Sequence, residues 1–117
     1  METIELLKAL GDPTRLRMIN LLLKGRLCVC EIESILQITQ SNASRHLTRL
    51  RTTNLIVAEK QAQWVYYAIN QQTLSQNPFI AVLFEQELKQ NKTLAGDLIR
   101  LKNSKESADR CVPLPSL

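Results

Sequence analysis

A chain of 117 residues suffices for one domain with a modest core. Its 44% hydrophobic and 22% charged residues are those of an ordinary globular protein, and a net charge of +4 permits a nucleic-acid partner without establishing one. No apolar run approaches the roughly 18 residues of a membrane span, and the acidic opening Met1-Glu2-Thr3-Ile4-Glu5 lacks the basic start of a secretion signal, so the expected location is cytoplasmic with no membrane partner.

Leu6, Leu7 and Leu10 give a first helix a short apolar face, which Gly11 ends. Asp12-Pro13 then reads as the N-cap and first position of a second helix, because Asp accepts from free backbone N–H groups and Pro loses nothing there. Leu16, Ile19, Leu22 and Leu23 form its stripe, and Gly25 stops it. A third helix starts near Cys28 or Cys30 and carries Ile32, Ile35 and Leu36. After Gln37-Ile38-Thr39 a fourth helix opens near Gln40 or Ser41, with Ala43, Leu47 and Leu50 inward and Asn54 as a left-handed cap. Two strands follow over 56–60 and 64–69 around Gln61-Ala62-Gln63, the second alternating in faces. One long helix is expected over 78–102, with Phe79, Val82, Leu83, Leu94, Leu98 and Leu101 as its apolar positions. The fold class is mainly α with a small β-hairpin, in the order α-α-α-α-β-β-α of a winged helix-turn-helix whose third and fourth helices form the reading pair.

On a helical wheel, Ser41, Ser44, Arg45 and Thr48 lie opposite the core stripe of the fourth helix. That face is small, hydrogen-bonding and cationic at one point, which suits close approach to a major groove. Arg45 is the expected base reader, since Arg bonds guanine bidentately. Gln40, Ser41 and Asn42 lie at the helix N-terminus, where N–H groups favour phosphate. Arg49 and Arg51 flank the face as phosphate contacts, and Lys60, Gln61 and Gln63 stand near the wing tip as weaker ones. His46 lies at the edge of this DNA-binding set, on the boundary of the core stripe.

Cys28 and Cys30 form a soft ligand pair directly ahead of the reading helices. Three cysteines are an odd number, and the cytosol keeps thiols reduced, so metal binding or redox sensing is favoured over a structural disulfide. Residues two apart on a helix point about 200° from each other. An intact third helix would therefore face Cys28 to the core and Cys30 outward, and joint ligation requires its first turn to fray. Lys24, Arg26 and the helix N-terminus are expected to lower the thiol pKa values. The bland alternative is a small buried hydrophobe at Cys28 and an idle thiol at Cys30.

Three stretches together, Leu27-Cys28-Val29-Cys30-Glu31-Ile32, Gln40-Ser41-Asn42-Ala43-Ser44-Arg45-His46-Leu47 and Trp64-Val65-Tyr66-Tyr67, resemble the ArsR/SmtB family of metal-responsive winged-helix repressors. Asp12-Pro13-Thr14-Arg15-Leu16 is similar to the family's second-helix opening. The Cys-Val-Cys placement looks like that of the family's arsenite and antimonite responders. The resemblance implies a homodimer paired through its first and last helices. It also implies an operator-bound repressor of a resistance operon, released when As(III) or Sb(III) binds thiolates. Arsenic sensors of this family carry a third Cys three residues after the second, where this chain has Glu33. Cys111, from the same or the partner chain, is the candidate third ligand, and a two-thiol site would instead suit a methylated arsenical. The last helix offers only carboxylates such as Glu85, Glu87 and Asp97, which argues against zinc.

The expected organisation is a DNA-binding and dimerisation domain over 1–103 and a flexible tail over 104–117 that carries Cys111. The alternative function is a repressor of the same fold that senses methylated trivalent arsenicals or thiol redox state. No Ser/His/Asp set, glycine-rich phosphate loop or Cys-x-x-Cys motif suggests an enzyme.

Overall fold

The computed structural model describes residues 1–106. Helices α1 (Glu2–Leu10) and α2 (Pro13–Leu22) lead into a two-residue strand β1 (Leu27–Cys28). Helices α3 (Val29–Leu36) and α4 (Gln40–Thr52) follow, then the hairpin β2 (Ile56–Gln61) and β3 (Trp64–Ile69). The chain ends in α5 (Gln71–Gln76), α6 (Phe79–Val82), a π-helical turn (Leu83–Glu87) and α7 (Lys92–Glu106).

The local signals act as their chemistry requires. Asp12 caps α2 by accepting the Arg15 N–H at 3.0 Å, with Pro13 in the first turn. Thr39 Oγ1 accepts the Asn42 N–H at 3.2 Å and so starts α4. Asn54 adopts a φ of 63° just after α4, the left-handed conformation expected of it. The loop between the two reading helices turns on a second left-handed residue, Gln37, at φ 56°.

Helix α2 lies at the centre, with Met18, Ile19, Leu21 and Leu22 all buried. The inward faces of α1 and α4 close on it through Leu6, Ala9 and Leu10 and through Ala43, Leu47 and Leu50, and Ile32, Ile35 and Leu36 of α3 join the same core from beside α4 and α7. Leu7, expected on the buried face of α1, points to solvent, and Ala9 takes the place beside α2.

Two differences from the sequence expectation matter. The sheet has three strands in the order β1-β3-β2, all antiparallel, because Leu27 and Cys28 pair with Tyr67 and Tyr66. A strand this short leaves no periodic signal. The single helix expected over 78–102 is divided. After the π-helical turn the chain breaks at 88–91, and Asn91 restarts it by accepting the Leu94 N–H on its Oδ1 at 3.0 Å. Helix α7 then packs against α2 and α3 and runs to Glu106, three residues past the boundary drawn after Asn103.

Helix α7 is fastened to α2 by charge. Asp97 is fully buried and accepts from Arg17 through both oxygens, at 2.8 and 2.9 Å. Arg100 also donates to it, and uses its Nε to bond the Ile35 carbonyl at 2.9 Å, near the end of α3. The Asp97 carboxylate raises the Arg17 pKa above its ordinary value. This carboxylate is therefore committed to two guanidinium groups and is not a metal ligand in this conformation.

Candidate nucleic-acid interface and thiol site

The face of α4 opposite its core stripe is exposed as the wheel requires: Gln40, Ser41, Asn42, Ser44, Arg45, Thr48, Arg49 and Arg51 all reach solvent. Arg45 is not a loose side chain, because its Nη2 donates to Asn42 Oδ1 at 2.8 Å one turn earlier. Restricting the guanidinium before contact reduces the entropy lost when it meets a base edge. Arg49 lies 3.9 Å from Glu5 of α1, so part of its charge is already answered at the surface.

His46 departs from the DNA-binding set. It is turned under α4, where Arg15 Nη1 donates to its Nδ1 at 3.2 Å, and Asp12 Oδ2 lies 3.8 Å away. A guanidinium only donates, so Nδ1 is the acceptor nitrogen. Burial lowers the His46 pKa; Asp12 pulls it back up, and Arg15 and Arg45 push it down again. Arg15 also donates through Nε to the Ala9 carbonyl at 2.7 Å. It thus ties the end of α1, the start of α2 and the reading helix together. Burial works to raise the Asp12 pKa, but the Arg15 N–H, His46, the Arg15 charge and the Thr14 N–H together bring it below its usual value. The sequence placed Arg15 in a recognisable motif but gave no sign of its partner 31 residues away.

At the wing, the register pairs Gln61 with Trp64, leaving Ala62 and Gln63 as a two-residue turn. Ala62 takes the positive φ, 57°, that such hairpins usually assign to Gly or Asn. Lys60, Gln61 and Gln63 are exposed near the tip. Gln61 Oε1 accepts from Arg26 Nη2 at 3.0 Å, and the Arg26 guanidinium stacks 4.4 Å from the Tyr66 ring centroid. Sequence reasoning missed this wing role of Arg26, because the arginine lies before β1 and far along the chain from the hairpin.

Cys28 is not on α3. It is the N-cap residue, in extended backbone at φ −82° and ψ 162°, and at 4% exposure its sulfur is buried. The 200° divergence argued for two helical cysteines therefore does not apply, since only Cys30, half-buried, lies within the helix. The Cys28 N–H donates to Glu31 Oε1 at 3.2 Å, so the carboxylate closes the helix end from inside. Burial raises the Cys28 thiol pKa, and the backbone N–H of Glu31 lowers it; the Glu31 side chain raises it further, against a small lowering from the N–H of Cys30. The net rise corrects the expected lowering: Lys24 and Arg26 are not among its causes, and Arg26 is held by the wing. Among the described residues no group of three or more His, Cys, Asp or Glu side chains is placed to hold a metal ion. Cys111 lies outside the described residues.

A three-stranded sheet that carries the wing hairpin, a helix-turn-helix and a polar, cationic outer face on its second helix define the class of winged helix-turn-helix regulators. Residues 12–57 match the family described as bacterial regulatory protein, arsR family. The chain is 37% identical to the arsenic resistance transcriptional regulator ArsR2 of Pseudomonas putida over 85% of this chain and 85% of that protein. It is 43% identical to the arsenical resistance operon repressor of Escherichia coli, over 57% of this chain and 58% of that one. The structure of reduced HlyU from Vibrio cholerae superposes with a TM-score of 0.64 at 33% identity, covering 72% of this chain and 86% of that one. The chain belongs to the arsR family. Among the described residues, no helix is long and apolar enough to cross a membrane.

Proposed function

We propose that this protein is an operator-binding repressor that releases DNA when As(III) or Sb(III) is captured by the thiolates of Cys28 and Cys30. The observation that carries the reading is the position of the pair, at the N-cap and second residue of the helix that supports the reading helix. Similarity to arsenic-resistance regulators of two organisms supports the choice of effector. In this reading Arg45 contacts base edges, with Gln40, Ser41, Asn42, Ser44 and Thr48 beside it, and Arg49, Arg51 and Lys60 answer phosphate charge. Gln61 and Gln63 border the backbone at the wing. His46 acts behind the interface, holding α4 to α1 and α2.

Capture of a soft ion requires Cys28 to leave its buried position and lose its thiol proton. Ion binding thus competes with the native seating of the α3 N-terminus, and that competition links effector to DNA. With Cys28 and Cys30 of the reduced protein as the local ligands, the third position on a trivalent ion is left for Cys111 or is already blocked in a methylated arsenical.

Dimer formation supplies the two-fold symmetry that paired half-sites need. The occupant proposed for the apolar groove of about 420 Å³ lined by Leu7, Leu10, Leu16, Phe79, Val82 and Leu83 is a second copy of the chain. Of its lining, Leu7 on the first helix and Val82 on the early part of the expected last one stand exposed, and Ile4 is exposed on the same first helix. The effector assignment is tested by titrating reduced protein with arsenite and reading thiolate–arsenic absorbance. Stoichiometric binding that Cys28→Ser and Cys30→Ser each abolish is expected. Undiminished binding in both variants would refute the assignment.

A further inference from the structure

The segment 26–28 joins the free Cys28 thiol to the wing. Arg26 stands two residues before Cys28, and its guanidinium lies 4.4 Å from the Tyr66 ring centroid. The same fork donates to Gln61 Oε1 at 3.0 Å and lies 3.6 Å from Glu59 Oε2. Glu59 and Gln61 belong to β2 and Tyr66 to β3, so one side chain clamps both wing strands. Tyr66 is in turn the strand partner of Cys28.

The geometry ties the two ends of this segment. With Cys28 at 4% exposure, its sulfur reaches an incoming ion only when the backbone around it turns outward. That turn unpairs Cys28 from Tyr66, and chain continuity carries Arg26 off the ring. We propose that Arg26 is the positioning residue through which ligation at Cys28 sets the wing. With the clamp closed, the hairpin is fixed for DNA; effector capture opens it and the wing loosens. The inference rests on the thiol-sensing reading above. Arg26, Glu59 and Gln61 are exposed and Tyr66 is half-buried, and each contact is individually modest, which suits a device that must open on ligation.

Trp64, the single tryptophan, lies on β3 beside the clamp and reports on the wing without DNA. The test uses the full-length reduced protein with arsenite alone as effector. Thiolate–arsenic absorbance follows binding, acrylamide quenching follows Trp64, and anisotropy on operator DNA gives affinity with and without arsenite. In the wild type, arsenite is expected to increase Trp64 quenching. Arg26→Ala should show the raised quenching before any arsenite is added, and should still bind arsenite. Its ratio of DNA affinities without and with arsenite should fall from the order of 5–150-fold, usual for coupled sites, to within about threefold of one. Tyr66→Phe keeps the ring and should behave as the wild type. If arsenite binds and releases DNA while Arg26→Ala keeps wild-type quenching and ratio, the clamp proposal is wrong and thiol sensing stands. A uniform loss of DNA affinity with the ratio intact makes Arg26 a phosphate contact and equally overturns the proposal. If reduced wild-type protein does not bind arsenite, the sensing reading falls and takes the clamp with it.

Discussion

Asp97→Asn isolates the charge cluster that holds α7 to the domain. Asn keeps the volume of the side chain, so packing is little changed, but one oxygen becomes an NH2 group facing guanidinium donors. Asp97 is fully buried and Arg17 only 23% exposed, whereas Arg100 is 46% exposed and regains water when its partner is lost. Removing one partner of a buried pair costs about 3–5 kcal/mol, and the partial exposure of Arg100 places this case near the lower end, about 3 kcal/mol. For a domain of this size that corresponds to a fall in Tm on the order of 12–24 °C. The assay is urea unfolding followed by circular dichroism at pH 7 and fixed protein concentration, since dimerisation would make stability concentration-dependent. A loss below about 1 kcal/mol, the scale of a surface ion pair, would refute the reasoning.

Other consequences follow from the same contacts. Arg45→Ala should relax the choice between matched and mismatched operator sequences, whereas Arg49→Ala should weaken both alike and reduce the salt slope by about one; equal effects of the two on discrimination would contradict the assignment. The lowered pKa of His46 means that, below its ordinary value of 6.5, the unfolded chain takes up a proton that the folded chain resists. Urea stability should therefore fall as pH drops from 6.5 toward the folded value, and His46→Gln should flatten that slope; a wild-type stability that rises on acidification across this window would rule the argument out. Ala62→Gly should stabilise the hairpin by about 1 kcal/mol, because Gly removes the steric penalty of positive φ. An unchanged or lower urea midpoint would show that the wing turn is not strained.

Most of the fold was legible because its signals are local. Asp12-Pro13, Thr39, Asn54 and the stripe Ala43, Leu47 and Leu50 act through neighbours within a few residues. The exposed face of α4 followed from the same periodicity. What escaped depends on contacts distant in sequence. Whether Cys28 lies in α3 or before it is decided by pairing with Tyr66, 38 residues on, and no helical wheel contains that strand. His46 looked like a boundary residue on the wheel, but its partner Arg15 comes from α2. The break in the long terminal helix is a further case. Leu83, Leu94 and Leu98 keep a helical rhythm across it, while Asn91 is a cap signal that the rhythm hides.

The central claim is that thiol ligation at the head of α3 releases DNA. It is tested most directly by fluorescence anisotropy of the reduced protein on its own promoter, titrated with arsenite, beside the Cys28→Ser and Cys30→Ser variants. The account predicts release at near-stoichiometric arsenite in the wild type and retained binding in both variants. Release that persists in both variants would contradict it.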